Sequence, residues 1–451
     1  MKTRTAHKVM DMTQGNLSKQ IFRFSIPLIL SNLLQVLFNM VDIAVVGRFA
    51  GSIALGSVGS TSILVTLFTG FLIGMSGGIN VLTALHFGGK RPKELSETVH
   101  SAALLSLMIG IFLLFIGVFF ARNVLELLNT KPDLIDGAVL YLKIYFLGMP
   151  AAALYNFGNA VFSAVGDTRR PLVYLSIAGV VNVVLNLLFV IGFHMDVAGV
   201  AIASAISQYV SAILVVGALF RSRESYGLRL SQLRLNQSRS KAILAIGIPS
   251  GTQGGIFALA NLFIQMGVNS FDTIMVAGNS AAANADPLVY DVMAAFYTAC
   301  GSFIGQNYGA GNRDRIKQSF YISIAYSFGA GLLLGVLLLV FGEQFLYLFT
   351  NEAAVVEAGM VRLTVMSVSY CVSAFMDCTI AASRGLGKSV VPMVIVILGS
   401  CVFRIIWVYT VFAHFQTITS LYLLYLFSWT ITAIPEILYF VKIYREETRM
   451  L

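Results

Sequence analysis

An apolar run extends from Ile21 to Val46, and eleven more runs of similar length follow it. A helix needs about 20 apolar residues to cross the hydrocarbon core of a bilayer, whereas a barrel strand shows only about 10 alternating ones. Cutting at charge and Gly/Pro clusters places twelve spans at 21–46, 53–86, 96–120, 137–163, 171–193, 197–220, 241–269, 275–306, 316–341, 356–383, 389–413 and 418–441. Of the 451 residues, 57% are hydrophobic and 11% are charged. Soluble chains carry about 25% charged residues, so these few cannot cover a water-exposed surface. The fold class is all-α integral membrane, with twelve transmembrane helices. The second and eighth spans exceed what one crossing needs, which predicts tilt or a bend, with Pro287 as the bend in the eighth.

The net charge of +9 does not point to nucleic acid, because the basic residues sit in short loops between spans. With the N-terminus inside, Lys90/Arg91/Lys93, Arg169/Arg170, Arg221 to Lys241, Arg313/Arg315/Lys317 and Arg384/Lys388 all become cytoplasmic. The opposite connections hold little beyond Arg48, Arg122 and Lys131, and lean acidic through Asp133, Asp136, Asp196, Asp272, Glu343, Glu352 and Glu357. Five successive loops thus obey the positive-inside rule, and both termini are expected in the cytoplasm. The opening segment MKTRTAHKVMDMTQGNLSKQ lacks an A-x-A cleavage site and reads as a retained cytoplasmic arm. Cys300, Cys371, Cys378 and Cys401 lie in apolar runs without CxxC spacing and read as small buried hydrophobes.

The chain repeats itself at an offset of 221–222 residues. FSIPLILSNLLQVLFN matches AIGIPSGTQGGIFALAN, pairing Pro27 with Pro249 and Asn39 with Asn261. HFGGKR matches NYGAGN, and SAVGDTRRPLV matches SRGLGKSVVPMV, at the same offset. Six spans per repeat keep the halves in one orientation, so their symmetry axis lies along the membrane normal. This divides the chain into an N-terminal lobe at 1–220, a basic linker at 221–240 and a C-terminal lobe at 241–451. Two similar lobes that face each other enclose a midplane cavity, the architecture of a carrier.

Polar groups in the spans locate that cavity. Ser31, Gln35, Asn39 and Asp42 fall 4, 4 and 3 residues apart, on one helical stripe. A carboxylate at membrane depth costs at least ~2.5–3.5 kcal/mol on insertion scales, so the stripe faces protein or a watery cavity. The seventh span repeats the device with Gln253, Phe257, Asn261 and Gln265, where the aromatic suits an apolar cation or drug-like guest. Interhelical hydrogen bonding is the equally weighted alternative for the amides. Gly70, Gly74 and Gly78 form a small-residue face for close helix packing. Asp291, Asp377, Arg404 and Glu436 are the other ionisable groups picked out of the spans. Asp291 and Arg404 fall at matching depth and are expected to pair, while Glu436, near Lys442, is placed to snorkel. Asp42 has no evident basic partner and is the candidate ion-coupling group.

VDIAVVGRFAG, HFGGKR with QNYGAGNRDR, and SAVGDTRRP with SRGLGKSVVP together resemble the multidrug and toxic compound extrusion (MATE) family over essentially the whole chain. The resemblance implies a plasma (inner) membrane exporter of small organic, typically cationic compounds, driven by Na⁺ or H⁺ and needing no cofactor. It also implies a monomer. The absence of a GxxxxGK[ST] phosphate loop agrees. In the DinF-like branch, a first-helix aspartate forms a cation site with two residues of the fifth helix and one of the sixth. That implies Asp42, Asn182, Asn186 and Ser204 here. Asn186 stands where that pattern often has an aspartate, leaving one carboxylate and tilting the expectation towards Na⁺. The NorM-like branch uses a glutamate near Phe257 and an acid one turn before Asp377, where Ser373 stands, so its C-lobe site is partial here. The alternatives are a lipid-linked saccharide flippase of the same superfamily, or a passive channel or receptor. A membrane enzyme is disfavoured because His7, His86, His100, His194 and His414 are scattered without HExxH or Ser/His/Asp grouping.

Overall fold

The computed structural model describes residues 10–449, so His7 and the first nine residues of the arm lie outside the described residues. Its helices are α1 (Leu17–Val45), α2 (Gly51–Gly88), α3 (Pro92–Leu127), α4 (Pro132–Leu147 and Met149–Ala164), α5 (Arg169–Gly192) and α6 (Asp196–Arg221). The second half holds α7 (Gln237–Val268), α8 (Thr273–Ala283 and Ala285–Gly309), α9 (Arg313–Leu346), α10 (Ala353–Gly385), α11 (Val390–Phe415) and α12 (Ile418–Glu447). Among the described residues, ten helical stretches are apolar and long enough to cross a bilayer, and the two segments of α4 add one more. The first stretch, Leu17–Gly88, is 72 residues long and turns back at Gly51, where φ is 87°. A side chain there would clash with its own backbone, so glycine permits the reversal between α1 and α2. Twelve crossings result, each overlying one predicted span.

The bends are only partly where the sequence places them. α2 runs unbroken through all 38 residues. α8 breaks at Asn284, one turn before Pro287, because proline withholds the N–H that the preceding turn needs. A bend of 46° falls in α4 at Gly148, two residues before Pro150. A Cβ at Gly148 would lie 2.0 Å from the Gln208 amide oxygen of α6, so the kink also lets α6 approach.

Each half buries its own core. Leu113, Leu142, Phe146 and Met149 pack with α2 in the first, and Met366, Tyr370, Tyr422 and Trp429 join α8, α10 and α12 in the second. α3 and α9 turn Phe112, Phe119, Leu333 and Val340 outward, as lipid-facing helices do. The linker is fastened to the first half. The backbone N–H of Arg229 donates to His100 Nε2 at 2.9 Å, and Arg239 pairs with Glu97 at 3.3 Å. Lys388 pairs with Glu447 at 2.8 Å, and this bond holds its ammonium above the usual lysine range.

The two halves meet through glycines. A Cβ at Gly74 of α2 would lie 2.5 Å from the Gly251 backbone of α7, and one at Gly78 2.6 Å from the Ile243 carbonyl. Gly74 and Gly78 thus form the close-packing face expected, against α7 of the other half, whereas a Cβ at Gly70 would have no neighbour within 4 Å. At the cytoplasmic ends, a Cβ at Gly88 would meet the Gln306 carbonyl at 2.0 Å, and one at Gly309 the Leu85 carbonyl at 1.9 Å. Phe24 of α1 packs edge-on against Phe303 of α8, 5.5 Å between ring centres. The arm adds a strap: the Arg315 guanidinium of α9 donates to the carbonyls of Met12, Gln14 and Gly15 at 2.9–3.3 Å. These contacts gather in the cytoplasmic halves of the helices. Farther out on α2, Gly59 has no neighbour within 4 Å of where a Cβ would stand.

Gly309→Val should force α2 and α8 apart, overpacking of this kind costing ~1–3 kcal/mol. Spin labels at Lys93 and Lys317, both exposed, should report a longer distance across the cytoplasmic side. An unchanged distance would show that the glycine contact is not what closes it.

Candidate functional site

Asp42 sits near the outer end of α1, one turn before a wide π-helical turn at Val46–Ala50. Its carboxylate accepts a hydrogen bond from Asn186 Nδ2 of α5 and another from Ser204 Oγ of α6 at 3.3 Å. Asn186 Nδ2 also donates to Asn182 Oδ1 at 3.2 Å, one helical turn earlier. The four residues implied by the family resemblance are therefore brought together, from three helices. A second wide turn, Leu188–Gly192, directly follows Asn186. Tyr141 and Tyr145 of α4, stacked at 5.8 Å, lie near enough to sense the Asp42 charge.

This arrangement has the character of a small-cation site. One N–H₂ group serves two oxygens, Asp42 Oδ1 and Asn182 Oδ1, so both point at a common position. The Asn186 Oδ1 is buried with no hydrogen-bond partner among the described residues. Turning that amide over would present its oxygen to the same position, beside the other two and Ser204. Hard cations such as Na⁺ take oxygen ligands, and a single carboxylate balances one positive charge. The donor set therefore fits Na⁺, and protonation of Asp42 would neutralise the same carboxylate. Among the described residues no group of three His, Cys, Asp or Glu side chains gathers to hold a transition metal.

The other stripe residues divide. Gln35 and Asn39 are exposed on α1. Ser31 turns back to the Pro27 carbonyl of its own helix at 2.9 Å, and Asn32 reaches the Asp291 carbonyl at 2.9 Å. On α7, Gln253 accepts from Arg384 at 2.7 Å, Asn261 accepts from Arg404 at 2.8 Å, and Gln265 donates to Asn269 at 2.8 Å. The Phe257 ring does receive a cation, but it is the chain's own: the Arg404 guanidinium stands 4.5 Å from its centre.

Three expectations for the ionisable groups change. Arg404 does not pair with Asp291; its contacts are Asn261, Ser428 at 3.2 Å and the faces of Phe257, Tyr425 and Trp429. Glu436 does not snorkel: it is 0% exposed, while Lys442 pairs with Glu446 at 4.0 Å. The ionisable groups picked out of the spans also omit Asp286 and Arg362, which form a half-buried ion pair of the second half at 2.5 Å. Tyr370 and Asn279 complete that pair with bonds of 2.5 and 2.9 Å. The signal was available, since both residues lie inside predicted spans, where an ionisable group calls for a partner. Asp377 enters no ion pair among the described residues but lies within electrostatic reach of Arg384.

The MatE family model matches residues 27–188 and again 249–410, an interval of 222 residues. The probable multidrug resistance protein YpnP of Bacillus subtilis is 31% identical over 353 residues, covering 78% of this chain and 79% of that protein. The FAD transporter of Shewanella oneidensis is 25% identical over 368 residues, 79% of this chain and 80% of its own. A solved structure described as the outward-facing conformation of a multidrug resistance MATE family transporter of the MOP superfamily superposes with a TM-score of 0.91. It is 21% identical and covers 99% of this chain and 100% of its own, a shared fold. Because the family match runs through both halves and the twelve-span fold comes with it, the chain belongs to the multidrug and toxic compound extrusion (MATE) family of membrane transporters.

Proposed function

We propose that this transporter is a secondary active exporter of drug-like organic compounds, exchanging them for Na⁺ or H⁺ at Asp42 by alternating access. The observation that carries the reading is the convergence of Asp42, Asn182, Asn186 and Ser204 from α1, α5 and α6. Relatives named as multidrug resistance proteins support the choice of substrate class. The lobes that rock are residues 1–220 and 241–451, with 221–240 as the linker between them. The chain acts as a monomer, since one copy contains both lobes and the cation site.

The geometry supplies a coupling route. A cation arriving from outside replaces the Asn186 N–H₂ as the positive partner of Asp42, so the contact between α1 and α5 changes. α1 carries Gln35 and Asn39, both exposed, and beyond Asp42 it continues into a wide π-helical turn. A shift of α1 therefore alters the surface that Gln35 and Asn39 present to a substrate. Exchange follows when cation and substrate differ in affinity for the two lobe arrangements. The single carboxylate and the rotatable Asn186 amide favour Na⁺ over H⁺.

Reconstituted in liposomes, the wild type should expel an organic cation when a Na⁺ gradient alone is imposed. Asp42→Asn should lower that rate at least tenfold while leaving the protein folded. Wild-type rates in the variant would remove Asp42 from the mechanism.

Ion identity has its own readout. A ligand that binds only the folded state stabilises it by about 2.7 kcal/mol at a hundred times its Kd. Replacing choline with Na⁺ at fixed pH should therefore raise the unfolding temperature of the wild type but not of Asp42→Asn. Asn186→Asp should add proton dependence, so that a pH gradient alone drives efflux. Stabilisation of wild type and variant alike would place the Na⁺ site elsewhere.

A further inference from the structure

We infer that the C-terminal lobe holds an oxyanion-binding pocket centred on Arg404, and that the exported compound carries a carboxylate or phosphate as well as its cationic part. This rests on the reading of the chain as an exporter of small organic compounds and names the charge pattern of its substrate.

Arg404 is 0% exposed, and none of the ion pairs among the described residues includes it. A buried guanidinium is normally paired with a carboxylate, because stripping water from a charge is costly. Here its neighbours are aromatic faces, 4.5 Å to Phe257, 4.9 Å to Tyr425 and 5.9 Å to Trp429, which offset that cost only in part. Its Nη2 has no hydrogen-bond partner, and two further donors around it share the deficit: Tyr290 Oη and Trp429 Nε1. The Tyr290 and Trp429 rings meet edge to face at 5.7 Å. Three buried donors without acceptors, one of them charged, form a surrounding suited to an oxyanion.

None of the ion pairs among the described residues joins an acid to Arg404. Asp286 is held by Arg362 and Tyr370 at 2.5 Å each, and Asp377 lies by Arg384. The bond that satisfies Nη1 comes from Asn261, whose side chain is exposed on α7. A neutral amide oxygen is a weaker partner for guanidinium than a carboxylate, which engages both Nη groups at once. An incoming oxyanion thus exchanges with Asn261 and reaches the unpartnered Nη2. Arg404 rides on one α-helical turn, Phe403–Trp407, between wide π-helical turns at Ile397–Val402 and Val408–Phe412. Wide turns of this kind recur at functional sites.

The test uses the purified full chain in lipid nanodiscs and two probes: a rhodamine bearing a free carboxylate and the methyl ester of the same rhodamine. Fluorescence polarisation should show the wild type binding the carboxylate form about tenfold more tightly, or about 1.4 kcal/mol. Arg404→Gln should abolish the preference by weakening only the carboxylate form. Asn261→Asp, which sets a carboxylate against Arg404 from within the protein, should abolish it as well, and decides the matter if Arg404→Gln does not fold. Equal binding of the two dyes by the wild type, binding of neither, equal weakening of both in Arg404→Gln, or a preference retained in Asn261→Asp would each overturn the pocket. Ion-driven efflux of the ester by the wild type would still uphold the exporter reading, so the two failures are distinguishable.

Discussion

Hydrocarbon does not hydrogen-bond, and a polar group this chain carries into the bilayer is costly unless it finds a partner within the protein. Asp42 is met by Asn186 and Ser204, Arg362 by Asp286, and Arg384 by Gln253. These pairings fix the rotation of α1, α7, α8 and α10 about their axes and decide which surfaces remain for lipid. The arrangement in each lobe follows from them as much as from apolar packing, since lipid tails compete evenly with side chains for apolar contact.

The contact between lobes has a different basis. Backbone approaches backbone at Gly74, Gly78, Gly88 and Gly309, and beside these glycines Leu17, Ile21, Phe24 and Leu28 pack with Ala295, Ala299 and Phe303. The Arg315 strap on residues 12–15 adds charge-assisted bonds at the same end.

Much of the architecture was legible in the sequence, because length, apolar run and loop charge are one-dimensional quantities. The twelve spans, the duplication and the Gly74/Gly78 part of the small-residue face needed nothing further. The residues of the candidate cation site were legible in a different way. Asp42 announced itself by its cost, whereas Asn182, Asn186 and Ser204 were implied by resemblance and then found in contact. The pairing of Arg404 with Asp291 failed because equal depth along two helices says nothing about their rotation. Glu436 was misplaced for the same reason, since its helix turns it inward instead of towards Lys442. The 46° bend of α4 was hidden because Gly148 and Pro150 permit a kink without requiring one.

By itself, then, the sequence determined the membrane class, the orientation, the two-lobe duplication and the presence of a carboxylate that needs a partner. Hydropathy and charge act locally along the chain, so their consequences can be read without folding it. Only the tertiary structure decided which partner each polar group takes. It joined Asp42 to Asn186, paired Arg362 with Asp286, and surrounded Arg404 with aromatic rings and an amide. Those choices depend on how helices distant in sequence rotate and pack against one another, and that information exists only in three dimensions.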